Sequence, residues 1–583
     1  MANRSNSGGS SDSDLQLLLA HADEHEPVLQ GGLEADAAAQ DDESGDGESG
    51  TSFYNPGAAG NDLAAQGWGI IAPEGDDGDR LLAAIAPLIA ARQEQLGEAP
   101  PVFRVPPGMS ASDADNWRRD VYESADADEQ PFYQLVLGDL DQVSVALSQA
   151  QAIDGCVGRL AFDELSDYEA YAAKVLRVEG ERSGGVADLI MHTVHDGTAA
   201  TSIGSRSLAR PLRDLAIEAH GRGRLPMGEI IDSGDNESPA PEQLMDAVSG
   251  RDGALLFSVS HGEGAPRKGW ASVDEQRAGQ GAMSFGRGGH IRGDDLRSGS
   301  FLAGGIWFMF ACYGAGTPSD SRFRHWLQQL RDAGKFRGKA ESVLRSLPAA
   351  GERPFVAAIP RQTLANPDGP LAFIGHLDLA WTYSFQELDR GKKDATAGKF
   401  YKVVRALLRG DRVGIALREI TRAYLDKNEN LANRYDAKRS AQVKGEAEYD
   451  DRVQMAHLWM ARQELAGYTI LGDPAVSLCS AGAAKTPVKR PAVVGPTRAV
   501  EIGRRPDPKS ESESAEPESD VQSVTPLGAV ELDRRVEAVQ AMIIGDEGLR
   551  AIAKRFEVDR TTLTRWLQAY TDAGRLALGK LDR

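Results

Sequence analysis

Two spacings of apolar residues alternate along the middle of this chain. "WGIIAP" at 68 is a short unbroken run. "DRLLAAIAPLIAARQEQL" follows, with apolar positions at helical spacing. "PVFRVPP", "FYQLVLGDLDQVS" and "GRLAFDELSDYEAYAAKVLRV" repeat the alternation and predict a smaller α/β unit over 63–182. The pattern resumes with "VADLIMHTVHDG", the helical "SRSLARPLRDLAIEAHG", and the strands "GALLFSVS" and "GGIWFMFA". It continues through "RPFVAAIP", "LAFIGHLDLAWTYSF" and two helices, and closes with "GYTILGDPAVSL", predicting a second α/β unit over 183–480. Runs such as "ALLFSV" and "IWFMFA" are apolar on both faces, as strands of a buried, largely parallel sheet must be.

The flanks read differently. Residues 1–62 are rich in Gly, Ser, Asp, Glu and Ala, and the segment is expected to be a disordered acidic tail, either solubilising or interacting and autoinhibitory. Residues 481–526 hold seven prolines and no aromatic residue, as a linker does. Within 527–583, Leu549, Ile552, Ala553 and Phe556 share one helical face, and Leu563, Trp566, Leu567 and Tyr570 another. With an earlier helix they predict a three-helix helix-turn-helix domain.

Composition narrows the function. The net charge is −22, but residues 1–50 carry twelve acidic side chains against Arg4, so about half the excess lies in the tail. No apolar run is long enough for a membrane span, and the polar N-terminus has no signal core. Three distant cysteines, Cys156, Cys312 and Cys479, make no disulfide framework. A cytoplasmic location is expected, with no membrane partner, no cofactor and no metal.

The candidate chemistry lies at two strand ends. "LLFSVSHGEGAP" places His261 after one apolar run, and "IWFMFACYGAGTP" places Cys312 after another. In open α/β sheets, ligands bind beyond the carboxyl ends of the strands. If the two strands are neighbours, His261 can take the Cys312 proton, and the thiolate can attack an acyl carbonyl. The backbone N–H groups of Gly262 and Cys312 are the expected oxyanion hole. Taken singly, each residue reads as a buried hydrophobe or a hydrogen-bonded loop group; it is the pairing that points to a dyad. His192 and His195 fall on opposite faces of a strand and make no metal pair. "GEGAPRKGW" lacks the elements of a phosphate loop.

These motifs, with "FIGHLDLAWTYSF" and "YTILGDPAVSL", resemble the gingipain-like branch of the caspase-like cysteine peptidases over about 65–480. The resemblance implies a caspase-like αβα sandwich and a cysteine endopeptidase acting on protein or peptide substrates; an activating partner is expected if the protease is latent. It also implies that the loop "HDGTAATSIGSRS" lines the pocket for the residue before the scissile bond. Asp196 there would select a basic residue, Arg206 an acidic one, and Trp381 would wall the pocket. An Asx turn before Gly197 is the plainer role for Asp196. His290, in a glycine-rich loop, is expected to border the cleft.

The C-terminal module resembles the helix-turn-helix of transposases and related regulators. Arg560, Thr561, Thr562, Arg565 and Gln568 share the polar face that would meet DNA. Ten basic residues against nine acids over 527–583 is weak electrostatics for DNA, and a protein-interaction module remains the alternative. The competing reading of the whole chain is a catalytically silent, peptidase-like scaffold acting as a DNA-binding transcription regulator. Linker residues Lys489 and Arg504 are candidate self-cleavage points.

Overall fold

The computed structural model describes residues 16–29, 32–33, 58–123, 130–181, 185–234, 238–335, 340–348, 351–387, 394–395, 397–445 and 452–478, with Arg555. Cys479, the linker 481–526 and the helix-turn-helix expected at 527–583, with Arg560, Thr561, Thr562, Arg565 and Gln568, fall outside them apart from Arg555. The chain divides into two compact units, Met1–Val494 and Gly495–Arg583. No helix of the described residues is long and apolar enough to cross a membrane.

Ten strands form one mixed sheet, the bulk of it parallel, in an α/β fold. In chain order they are β1 (Trp68–Pro73), β2 (Val102–Val105), β3 (Tyr133–Leu137), β4 (Cys156–Leu160), β5 (Leu189–Thr193), β6 (Ile230–Ser233), β7 (Leu255–Val259), β8 (Ile306–Phe310), β9 (Ala372–His376) and β10 (Tyr468–Gly472). Their spatial order is β2-β1-β3-β4-β10-β9-β8-β7-β5-β6. Strands β1–β4 run parallel to one another, and so do β5–β9. β10, the last strand, sits between β4 and β9 and is antiparallel to β9. The two α/β units read from the sequence therefore share one sheet, inserted into by a strand from the end of the second.

The central strands are buried along their whole length, which is why they appear as unbroken apolar runs. Phe308 and Phe310 of β8 pack on Phe400 of the helix Gly398–Leu408 and on Tyr468 of β10. β6 is a half-buried edge strand, "IIDS", too short and polar to stand out in the sequence. The apolar run after β1 is two helices, Gly75–Ala84 and Ala86–Leu96, broken at Ile85 with proline at the start of the second.

The tail departs from expectation. Residues 16–29 are placed, and Leu17, Leu18, Leu19 and Ala20 are almost wholly buried. Leu19–His21 forms a strand parallel to His261–Gly264. The average composition of 1–62 is that of a disordered segment, but "LQLLLA" at 15–20 carries enough apolar surface to be held.

Candidate active site

β7 and β8 are adjacent and parallel, with Val259 opposite Phe310. His261 and Cys312 each lie two residues past that pair, so both stand at the same level of one sheet edge. Beyond Val259, the Ser260 N–H still donates to the Phe310 carbonyl at 3.2 Å, and the chain runs on extended through His261–Gly264. Gly262 is required here: a Cβ would stand 1.8 Å from the Cys312 carbonyl oxygen. The turn after Cys312 is tight. Tyr313 has φ +55°, Asp378 beyond β9 has φ +104°, and the Tyr313 N–H donates to the Asp378 carbonyl at 2.8 Å. Two non-glycine residues in that region mark a backbone held by its surroundings.

The Gly262 and Cys312 N–H groups both donate to a single oxygen, the Leu18 carbonyl, at 2.9 and 3.3 Å. The rest of the N-terminal segment continues this pattern. The Leu18 N–H donates to the Ala380 carbonyl at 3.3 Å, the Thr382 N–H donates to the Gln16 carbonyl at 3.1 Å, and Leu17 bridges Trp381 in antiparallel fashion. Leu19–His21 then leaves alongside His261–Gly264. A peptide thus lies extended across the ends of β7, β8 and β9 with one carbonyl between two backbone donors.

The side chains are arranged around it. His261 is buried, and its Nε2 lies 2.9 Å from Thr198 Oγ1 and 3.4 Å from Asp196 Oδ2. Asp196 Oδ1 accepts from the Thr198 N–H at 3.1 Å, Thr198 Oγ1 at 2.8 Å and Thr201 Oγ1 at 2.7 Å. With the Thr198 hydroxyl proton directed at Asp196, Thr198 Oγ1 is the acceptor toward His261. The network therefore assigns the ring proton to Nε2 and the lone pair to Nδ1. Nδ1 is buried and has no hydrogen-bond partner among the described residues. Cys312 Sγ accepts from the Ala380 N–H at 3.1 Å and lies 3.5 Å from the Ala380 carbonyl. Burial pushes the Cys312 thiol well above its ordinary range, only partly offset by the Ala380 N–H. Burial also lowers the His261 imidazole, opposed by Asp196.

Asp196, expected to face the substrate, lines a cavity with His25, His195 and Arg287 and also has His261, Thr198 and Thr201 as neighbours. It does form the Asx-type contact to Thr198, at the start of the helix Ala199–Gly204. The Trp381 ring is fully buried against Phe323 and Trp326, and it is the Trp381 backbone that meets the N-terminal segment. Arg206 is exposed in the helical turn Ser205–Ala209. Thr198 and Ala380 were not singled out from sequence: a threonine in a helix cap and a backbone amide carry no motif. His290, expected to border the cleft, sits in the short strand His290–Ile291 paired with Met283–Ser284. It meets Glu263 and His25, and one ligand atom from each of the three lies within 4.8 Å of the others.

No family model and no curated protein matches this chain. Among solved structures, one titled "Structure of Protease" matches over 73% of this chain and 79% of its own, at 11% identity and a TM-score of 0.39. The complex of Porphyromonas gingivalis RgpB pro- and mature domains matches over 70% and 79%, at 12% identity and a TM-score of 0.37. At those scores the likeness carries no argument about this site, which stands on its own geometry.

Proposed function

We propose that the chain is a cysteine endopeptidase of caspase-like, gingipain-like architecture whose cleft is filled by its own N-terminal segment. The observation that carries this reading is the convergence of the Gly262 and Cys312 N–H groups on one peptide carbonyl, beside a thiol and an imidazole. Two fixed donors on a carbonyl oxygen are what a tetrahedral oxyanion needs.

In the reaction, Cys312 Sγ turns from Ala380 and passes its proton to His261 Nδ1. The sulfur attacks the substrate carbonyl carbon, and the oxyanion sits on the Gly262 and Cys312 amides. His261 returns the proton to the leaving amine. Water, deprotonated by His261, then hydrolyses the thioester and frees the carboxylate. Asp196 and Thr198 hold the ring through Nε2 and so leave Nδ1 to take the thiol proton. With Asp196 so engaged, the basic preference expected of it gives way to an aliphatic one, because the residue in register with the two amides is Leu18. Peptide and protein substrates pair antiparallel with Ala380–Thr382, and an activating partner would displace residues 16–29.

The test uses the full-length protein and a Leu17→Asp/Leu19→Asp double variant, which puts unpaired charge where two buried leucines hold the segment. Fluorogenic peptides carry Leu, Arg, Lys or Asp before the cleavable bond. The double variant is expected to cleave the Leu peptide at least tenfold faster than the full chain, and iodoacetamide or Cys312→Ala should abolish turnover. Cleavage that survives Cys312→Ala overturns the assignment. No cleavage by a folded, released variant favours the silent scaffold, which salt-dependent binding of a specific duplex would then support.

A further inference from the structure

The N-terminal segment does not end at the cleft. After Leu19–His21 it folds back as a hairpin: the His21 N–H donates to the Glu26 carbonyl and the Val28 N–H to the Leu19 carbonyl, both at 2.9 Å. His25, at φ +53°, stands in the turn. It lands on Glu263, two residues beyond His261, and on His290, which enters through the pair Ser284–His290. His25 Nδ1 is 2.7 Å from Glu263 Oε1, and His290 Nδ1 is 3.4 Å from the same oxygen.

The Glu263 side chain is fully buried, yet its other oxygen, Oε2, has no hydrogen-bond partner, and neither does His290 Nδ1. Burial pushes the Glu263 carboxyl up to about 8 and lowers both imidazoles. A buried carboxylate with an idle oxygen between two imidazoles is an incomplete arrangement for a simple ion pair. Two imidazoles and a carboxylate are, however, a complete protein donor set for a zinc-like ion with water in the fourth position. Tetrahedral ligands at bonds of about 2.0–2.1 Å stand roughly 3.4 Å apart. The His290–Glu263 spacing already meets that, His25 has to withdraw from Glu263 by less than about 1 Å, and the His25 and His290 ligand atoms, within 4.8 Å of each other, have to close by at most about 1.4 Å. Of the nearby charges, Arg292 opposes a cation and Asp23 favours one.

We propose that His25, Glu263 and His290 bind one divalent transition-metal ion of the zinc class, and that this ion fastens the N-terminal hairpin over the cleft. The ion replaces the proton shared by His25 and Glu263, which passes to solvent. The fastening rests on the reading of the cleft given above; the binding does not.

The experiment uses the full chain carrying Cys312→Ala, so that the cleft thiol cannot take the metal. After chelation and dialysis, zinc is titrated by calorimetry and cobalt by its visible ligand-field absorption. Hydrogen exchange is followed at 17–28 with and without zinc. The expected result is one equivalent bound per chain, at least tenfold weaker binding in His25→Ala and in His290→Ala, and slower exchange at 17–28 with metal. Both histidines are partly exposed, and the Gln variants serve if an alanine variant does not fold. Unchanged affinity in both histidine variants, or no stoichiometric binding, overturns the site. Binding without slower exchange overturns the fastening. Because Cys312 is absent throughout, failure here leaves the peptidase reading standing, and loss of the peptidase reading leaves the metal result standing.

Discussion

Two buried polar clusters in this fold are built on opposite plans. In one, Arg92, Glu179 and Asp473 saturate one another. Arg92 makes paired contacts of 2.8 and 2.9 Å to Glu179 and of 2.9 and 2.7 Å to Asp473. Asp473 also accepts from Trp68 Nε1 and the Ala475 N–H, and its own N–H donates to Tyr171 Oη, which donates to the Leu371 carbonyl. In the other, around His261 and Cys312, buried donors and acceptors are left over: His261 Nδ1, Ser260 Oγ and Glu263 Oε2 have no partner among the described residues. Both clusters are largely buried, with Glu179 alone partly exposed, so burial does not separate the two plans; the unsatisfied atoms do, although others are scattered elsewhere, as at Gln151 and Gln243. Lone pairs held out of water without a partner are costly unless another role retains them.

The sharpest way to break the comparison is to cut the saturated cluster. Arg92→Ala removes the guanidinium that both Asp473 and Glu179 contact, leaving only the more distant Arg412 as counter-charge, and Asp473 is fully buried. A loss of about 3–5 kcal/mol in unfolding free energy is expected. The folded fraction of the released protein should keep the Cys312 alkylation rate of its parent. Urea denaturation and iodoacetamide kinetics on the Leu17→Asp/Leu19→Asp background measure both. A stability change under about 1 kcal/mol, or a several-fold change in alkylation, would mean the two clusters are not separable in this way.

What the sequence made legible follows the same division. The strand ends carrying His261 and Cys312 were readable because unbroken apolar runs mark buried strands, and because each reactive residue follows its run directly. The placement of β10 between β4 and β9 was not readable, since nothing in "GYTILG" specifies its neighbours. Averaging hides the tail's role: 62 residues rich in Gly, Ser, Ala and acids obscure one short leucine-rich run that finds a partner strand 243 positions away. The substrate role of Asp196 rests on the family resemblance of its loop alone, while its hydrogen bonds to Thr198 and Thr201 depend on a helix cap that the sequence shows only as "DGT". The His25–Glu263–His290 cluster draws on three separate segments and has no spacing to recognise.

A smaller effect tests what Asp196 does. Asp196→Asn replaces an acceptor that serves two hydroxyls and a backbone N–H, and loosens the hold of Thr198 on His261. On the released background kcat is expected to fall about 10- to 100-fold, with KM nearly unchanged, because the ring and not the substrate is being held. Asp196 raises the His261 pKa against the lowering by burial. Its removal should therefore move the acid limb of kcat/KM to lower pH. A KM-only effect on a peptide with Arg or Lys before the scissile bond would instead return Asp196 to the specificity role. Thr198→Val should reproduce the kcat loss, since the contact between the carboxylate and the ring runs largely through that hydroxyl.

The smallest effect concerns a neighbour of the site whose nitrogen is also unsaturated. His192 on β5 contacts Ser233 Oγ through Nδ1 at 3.1 Å, stacks obliquely near Phe285, and leaves Nε2 buried without a partner. Burial, aided by His195, lowers its pKa from 6.5 to about 4. A histidine depressed in the folded state contributes its full stability above the unfolded value and loses it as pH falls toward the folded one. Between pH 7 and 5 the loss from this group is about 1–2 kcal/mol. Asp378, raised to about 6 by burial, works in the opposite direction, holding a proton that the unfolded chain releases near 3.8. His192→Asn keeps a polar atom toward Ser233 but does not titrate. Going from pH 7 to pH 5, the unfolding free energy from urea denaturation should therefore shift about 1–2 kcal/mol further toward stabilisation in the variant than in the parent. If both proteins lose stability equally, His192 is protonated or hydrated in the folded state. Its Nε2 would then not be an unsatisfied lone pair, and the contrast between a saturated cluster and an unsaturated site would narrow to His261 and its immediate neighbours.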